Sequence, residues 1–249
     1  MKIYIALPLL LALVGSAVDA VSAADVEKPA TSAQAIAFSA LSPGQTLPKQ
    51  FRPITLPKIA SNRFSLVDDD GKTVLRVDSD SSAGSLGLPL SAPPLANALL
   101  EWRWKIGRVL DKADMTTKTG DDFAARVYVF FDVPMQSLSF GDRTKLRLAR
   151  MISGAEVPTA AICYVWDSTH RVGHTQWSAY TNRARMIVLQ SGAANANKWI
   201  GESRDINADF REAFGFDAPA VTGVAVGNDT DNTGERMTTW FGDVALKTK

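Results

Sequence analysis

Cysteine is almost absent: Cys163 stands alone among 249 residues, so no intramolecular disulfide can form and packing has to hold the fold. Its neighbours Ile162, Tyr164 and Val165 are apolar, which marks a buried structural thiol rather than a nucleophile. Histidine is nearly as scarce, with only His170 and His174. Their i, i+4 spacing would suit zinc on a helix, but Gly173 breaks that helix and Asp167 is the sole further ligand nearby, so no zinc centre is expected. Neither sign of charge dominates, with 27 Lys and Arg against 26 Asp and Glu, and this excludes the basic surface on which nucleic-acid binding depends. Also missing are the Gly-x-Ser-x-Gly elbow, the Gly-x-x-x-x-Gly-Lys phosphate loop and His-Glu-x-x-His, so serine hydrolase, nucleotide hydrolase and common zinc protease chemistry have no motif behind them. No repeat of 20 to 50 residues argues for a solenoid or propeller.

What is present begins with Met1-Lys2 and the apolar run Ile3 to Val14, followed by small residues at Ala17, Ala20, Ala23 and Ala24. A positive start, a short apolar core and a small-residue cut site make a secretory signal, with cleavage expected after Ala23 or, second, after Ala20. The core falls short of the roughly 20 residues that span a bilayer, so no transmembrane anchor is expected once it is removed. With no cysteine at the cut site, a lipid-modified amino terminus is excluded, and the expected address is the periplasm or beyond. Residues 24–48, rich in Ala, Ser, Pro and Gln, read as a flexible lead-in. Residues 49–249 read as a single domain.

That domain reads as all-β. Phe64 to Val67 and Thr73 to Val77 flank Asp68-Asp-Asp-Gly71, an Asp/Gly turn between two β-prone runs. From Leu99 to Ile106, Trp102, Trp104 and Ile106 alternate with Glu101, Arg103 and Lys105, as a half-buried strand requires. Phe123 to Phe131 alternates as well, but its second face carries Ala124, Arg126, Tyr128 and Phe130, so both faces are expected to be partly covered. Further short runs at 160–166, 185–190, 220–226 and 237–246 complete the pattern of an antiparallel β-sandwich. Helix is expected twice at most: Ala208 to Phe214, capped by Asn207 and stopped by Gly215, and Asp142 to Ile152.

Several stretches in fixed order, Lys118-x-x-Asp121-Asp122-Phe-Ala-Ala-Arg126-Val-Tyr128-Val, Tyr164-Val-Trp166, Trp199 with Glu202 and Arg204, Asp209 before Phe214-Gly215, and Asp229-Thr-Asp231-Asn232-Thr233, resemble a family of bacterial exported domains of unknown function. The resemblance runs from about Phe64 onward and implies a jelly-roll β-sandwich, laid out like carbohydrate-binding modules and some polysaccharide-acting enzymes. It departs from the family at Asp205, where an amide is expected, and at Gly227-Asn228, where bulkier residues are.

Three constellations carry potential chemistry. Asp229, Asp231 and Asn232 set carboxylate and amide oxygens close together after an apolar run, which suits a hard cation such as Ca²⁺ or, equally, a polar turn bonded to its own backbone. Asp121, Asp122 and Arg126 form the second. A strand arginine of this kind is expected to pair with a carboxylate such as Asp122 or Glu202, while Asp121 at the strand mouth is free to touch a ligand. The third is aromatic: Trp166 and Trp177, among small polar residues, are expected to be exposed and able to stack on a sugar ring.

Two functions from different classes follow. One is a non-catalytic module that binds a saccharide or similar polar envelope ligand through Asp121, Arg126, Trp166, Trp177, Glu202 and Arg204, with Ca²⁺ as its one candidate cofactor. The other is a polysaccharide hydrolase or lyase with Asp121, Asp231 or Glu202 as acid and base. The binding module is the expectation, since it needs fewer features, and no catalytic residue is assigned.

Overall fold

The computed structural model describes residues 34–94, 98–138, 140, 141, 143 and 158–248. The signal segment lies outside the described residues, as does the helix expected at Asp142–Ile152 apart from Arg143. No helix among the described residues is long and apolar enough to cross a membrane.

Two sheets face each other. In the first, β11 (Ile200–Asp205), β6 (Ala98–Ile106), β13 (Arg236–Thr248), β4 (Lys72–Asp80) and β3 (Arg63–Asp69) lie side by side, and β1 (Gln34–Ile36) pairs with β13. In the second the order is β2 (Arg52–Ile54), β5 (Ala83–Leu88), β12 (Val221–Asp229), β7 (Phe123–Phe131), β8 (Ala160–Asp167), β10 (Thr181–Ser191) and β9 (Thr175–Ser178). Among the described strands every pairing is antiparallel except β8 with β10, which is parallel. The chain is a β-sandwich, as its alternating strands predict, and of jelly-roll type, as the family resemblance implies.

Period-two alternation explains the core. Leu100, Trp102, Trp104 and Ile106 of β6, with Leu75 and Val77 of β4 and Phe241, Val244 and Leu246 of β13, point inward. They meet Leu86, Val127, Val129, Ile162, Tyr164, Val224 and Val226 of the second sheet. Each large side chain removed from water in this way contributes about 1.5–3 kcal/mol. The second sheet is covered on its other face too, where Met115, Phe123, Cys163, Val165, Met186 and Val188 form a smaller cluster with Tyr128 against it. Hence β8 is buried along its whole length.

The turn between β3 and β4 has Asp70 and Gly71 both at positive φ, +56° and +76°, the geometry of a tight hairpin turn that favours Gly at its second position. The helix α1 (Ile206–Phe214) packs against β6, β8 and β11. Its cap is Asp205, whose side chain accepts from the Ala208 N–H at 3.0 Å, rather than the expected Asn207. The helix starts earlier than the apolar periodicity suggests because Ile206 is itself buried. Gly215 ends it in the left-handed region, as expected.

The described part of the lead-in, residues 34–48, is a correction. Instead of hanging loose, Gln34–Ile36 forms β1, and Phe38 is fully buried against Phe51, with ring centroids 5.8 Å apart. The Ser39 N–H and hydroxyl both donate to Asp243, at 2.9 and 2.6 Å. Its composition conceals this because scattered contacts anchor it, the β1 pairing, the Phe38 ring and hydrogen bonds from Ser39 and Gly44, not a periodic face. Gly227 also has a packing reason: a Cβ there would stand 2.4 Å from the Gly84 carbonyl oxygen. Next to it, buried Asn228 donates to Thr239 Oγ1 at 3.0 Å and ties the two sheets together.

Candidate functional site

Three places gather chemistry-bearing side chains, on different faces of the sandwich. The residues expected to bind one ligand are therefore not brought together.

At the mouth of β7 the chain makes a tight turn, with the Asp122 N–H donating to the Gly120 carbonyl at 2.7 Å. Gly120 itself lies so near Asp114 that a Cβ would stand 2.8 Å from the Asp114 nitrogen. Asp121 and Asp122 thus precede the strand instead of alternating within it, and both are buried. The Asp122 carboxylate accepts from the Thr233 N–H at 2.7 Å and from the Asn232 N–H and side-chain amide at 3.3 and 3.2 Å, fastening the loop after β12. Arg126 is buried and paired at 2.6 Å with Asp229 on the neighbouring strand, not with Asp122 or Glu202. Asp229 is held from its other oxygen by the Phe123 N–H at 3.0 Å. One oxygen each of Asp122, Asp229 and Asp231 lies within 4.8 Å of the others. Burial pushes the Asp121 carboxyl up to about 6, against the pull of Arg126 and with Asp122 and Asp231 adding to the rise. Burial and the neighbouring Asp122 raise Asp231 as well.

The second place lies at the edge strand β11, on its inward side. Glu202 accepts from Gln190 at 2.8 Å and from the Trp104 indole at 3.3 Å. Burial lifts its carboxyl above the usual range, against those two hydrogen bonds. Arg204 grips Asp209 of α1 with two nitrogens, at 3.0 and 2.5 Å, while the Tyr164 hydroxyl donates to the same carboxylate at 2.7 Å. These groups satisfy each other and join α1 to the sandwich. Trp166, expected to be exposed, is a correction: it is 0 % exposed, packs 5.8 Å from Trp104, and donates to the Gly192 carbonyl. The small polar residues that suggested exposure follow β8 and do not surround the indole. Trp177 is half-buried, edge-on to Phe214 at 5.3 Å and under Arg185 at 5.1 Å.

The third is an open groove of about 640 Å³ on the outer face of the first sheet, lined by Ser39, Lys72, Glu101, Arg103, Ser203 and Asp243 and bordered by Glu202, which of the expected ligand residues is the one that reaches it. The outward face of β6 supplies Glu101 and Arg103, the very residues whose alternation marked the strand. Arg103 lies across Gly242, where a Cβ would collide with its side chain at 2.2 Å, and its guanidinium stacks 4.4 Å from the Trp199 ring centroid. Behind it, Asp69 accepts from Lys105 at 2.6 Å and from the Trp199 indole at 2.6 Å. Despite the desolvation that raises it, those two hydrogen bonds hold the Asp69 carboxyl below its ordinary value. Lys105 in turn sits between the Trp199 and Trp240 rings, 5.2 and 4.8 Å from their centroids. Apart from Glu202, none of these residues was expected from the sequence to contact a ligand, although Trp199 belongs to the family-like pattern. The available signal was the pair Arg103 and Lys105 on the polar face of an aromatic strand.

Fold and groove together define an all-β sandwich domain with a polar, aromatic-edged outer face. The chain belongs to the family described as protein of unknown function (DUF3047), whose pattern matches residues 49–245. No curated protein matches the sequence. Among solved structures, the chain is similar to the cellulose-induced protein Cip1, at 11 % identity and a TM-score of 0.39, over 87 % of this chain and 97 % of that one. It is also similar to endoglucanase 3 of Trichoderma harzianum from family GH12, at 6 % identity and a TM-score of 0.40, over 90 % and 99 %. A loop-swap mutant of Necallimastix patriciarum Xyn11A gives 10 % identity and a TM-score of 0.32, over 88 % and 97 %.

Proposed function

We propose that the domain is a non-catalytic binding module of the cell envelope, which takes an acidic saccharide or a similar polar anion in the groove on its first sheet. The single observation that carries this is Arg103. Its side chain runs over Gly242, which leaves no room there for a Cβ, and its guanidinium lies against the Trp199 ring, yet among the described residues it makes no hydrogen bond. A guanidinium fixed in this way keeps its donor fork free for a carboxylate or sulfate, and little side-chain entropy is left to lose on binding. Glu101, Asp243, Ser39 and Ser203 offer acceptors and hydroxyls to neutral sugar oxygens along the same groove. Lys72 adds a second positive charge at its side.

Binding of the purified protein to a panel of neutral and acidic polysaccharides, by affinity electrophoresis and then calorimetry, tests the proposal. An acidic glycan is expected to bind, with affinity falling at least about tenfold in Arg103→Ala, the scale of one lost charge-assisted hydrogen-bond pair. Equal affinity for Arg103→Ala and wild type refutes the placement. A hydrolase or lyase has one observation in its favour, the Asp121 carboxyl raised to about 6 as a general acid requires. Turnover of a bound glycan that disappears in Asp121→Asn would put that chemistry in place of simple binding.

A further inference from the structure

The loop after β12 and the mouth of β7 hold more negative charge than their surroundings balance. Asp121, Asp122 and Asp229 are buried and Asp231 is half-buried, and the guanidinium among them is that of Arg126, already bonded to Asp229. Buried carboxylates of this density require either protons or a cation. Three features point to the cation. First, one oxygen from each of Asp122, Asp229 and Asp231 falls within 4.8 Å of the others. Ligand oxygens about 2.3–2.6 Å from a shared Ca²⁺ cannot lie further apart than about 5 Å, so the three can share one ion. Second, Asp121, next to Asp122 in the chain and only 8 % exposed, has a buried Oδ1 without a hydrogen-bond partner. Third, the Thr233 hydroxyl, likewise 8 % exposed, is buried without a partner in the loop that Asp122 fastens. Unpaired buried oxygens beside a carboxylate trio are what a hard ion's coordination shell would complete.

We infer that Asp122, Asp229 and Asp231 form a Ca²⁺ site whose shell the Thr233 hydroxyl completes, with Asp121 flanking it. This differs from the grouping of Asp229, Asp231 and Asn232 that the motif suggests. The Asn232 side chain donates to Asp122 and lies 3.4 Å from the Tyr180 hydroxyl, so it positions the site instead of ligating. Tyr180 roofs it, with its hydroxyl also donating to the Lys118 carbonyl at 3.0 Å. The ion would lock the β7 mouth to the β12 loop, on the opposite sheet from the groove. It is therefore independent of saccharide binding there.

The test is thermal unfolding of the full chain at neutral pH, stripped of metal with chelator and then titrated with CaCl2, and separately with MgCl2. At about a hundredfold excess over Kd, Ca²⁺ is expected to raise Tm by about 5 to 10 °C. The shift should vanish in Asp231→Asn and shrink in Thr233→Val, while Asp243→Asn, on the other sheet, keeps it in full. A second measurement covers a variant that folds poorly: calorimetric titration of wild type should give one saturable site per chain. Absence of any Ca²⁺ or Mg²⁺ effect on wild type overturns the inference, and so does a shift that survives Asp231→Asn unchanged. Stabilisation of the metal-free protein by Asp231→Asn, with no metal response in wild type, would show that the cluster is held by protons.

Discussion

The ion pair of Arg126 with Asp229 allows a quantitative test of how the second sheet is held. Arg126 Nη2 lies 2.6 Å from Asp229 Oδ2, and both side chains are about nine-tenths buried. The guanidinium also sits over the Phe123 and Tyr128 rings, 5.6 and 5.3 Å from their centroids. Arg126→Met keeps most of the stem volume but leaves the Asp229 carboxyl without its counter-charge, so that it either stays ionised at a desolvation cost or takes up a proton, with the Phe123 N–H as its remaining donor. Breaking a buried pair from one side costs about 3–5 kcal/mol, which for a domain of this size lowers Tm by roughly 6–20 °C. Asp229→Asn placed on top of Arg126→Met removes the stranded charge and retains an oxygen for the Phe123 N–H. The double variant is therefore expected to recover more than half of the loss. Guanidinium denaturation in chelator at pH 7, followed by tryptophan fluorescence and circular dichroism, measures both steps. A double variant no more stable than Arg126→Met alone would refute the stranded-charge reasoning and assign the loss to packing.

Two further outcomes are expected. Because Asp121 goes from 3.8 when unfolded to about 6 when folded, the native state holds its proton more tightly, so its contribution is full below pH 3.8 and is lost as pH rises through 6. In chelator, Asp121→Asn should gain on wild type by on the order of 2–3 kcal/mol between pH 4 and pH 7, and denaturation at stepped pH that shows a constant difference would contradict this. Phe38→Ala should cost about 3–5 kcal/mol, read by thermal unfolding, and a loss under about 1 kcal/mol would mean that residues 34–48 do not support the core.

Strands with one solvent face were the easiest to read. The alternation of Trp102, Trp104 and Ile106 with Glu101, Arg103 and Lys105 is reproduced residue by residue in β6, and the Asp/Gly turn is a hairpin. Strands whose pattern is set by neighbours were not legible. Polar β11, Ile200–Asp205, is a strand because β6 pairs with it and its inward residues find partners across the edge. Nor did local residues announce the parallel pairing of β8 with β10, with β9 on the outer side of β10, since crossover direction depends on tertiary packing. The site residues divide similarly. Asp229 and Asp231 were visible as a motif, but their companion Asp122 comes from a chain segment over a hundred residues away, joined through the Thr233 N–H. Arg103 looked like ordinary strand polarity, and only Gly242 and Trp199 laid against it in space make it distinctive.

The position of β13 governs when the domain can form. Arg236–Thr248 lies between β4 and β6 and also receives β1, so the middle of the first sheet is the segment made last among the described strands. Until it exists, the β3–β4 hairpin and the β6–β11 pair have nothing between them, and Phe38 has lost the strand behind which it docks. Sequence-distant closure of this kind folds slowly, since loop entropy is spent before the contacts return it. A chain that lacks β13 would therefore hold no finished sandwich. The same topology that completes the core also keeps the unfinished polypeptide open until its final strand arrives.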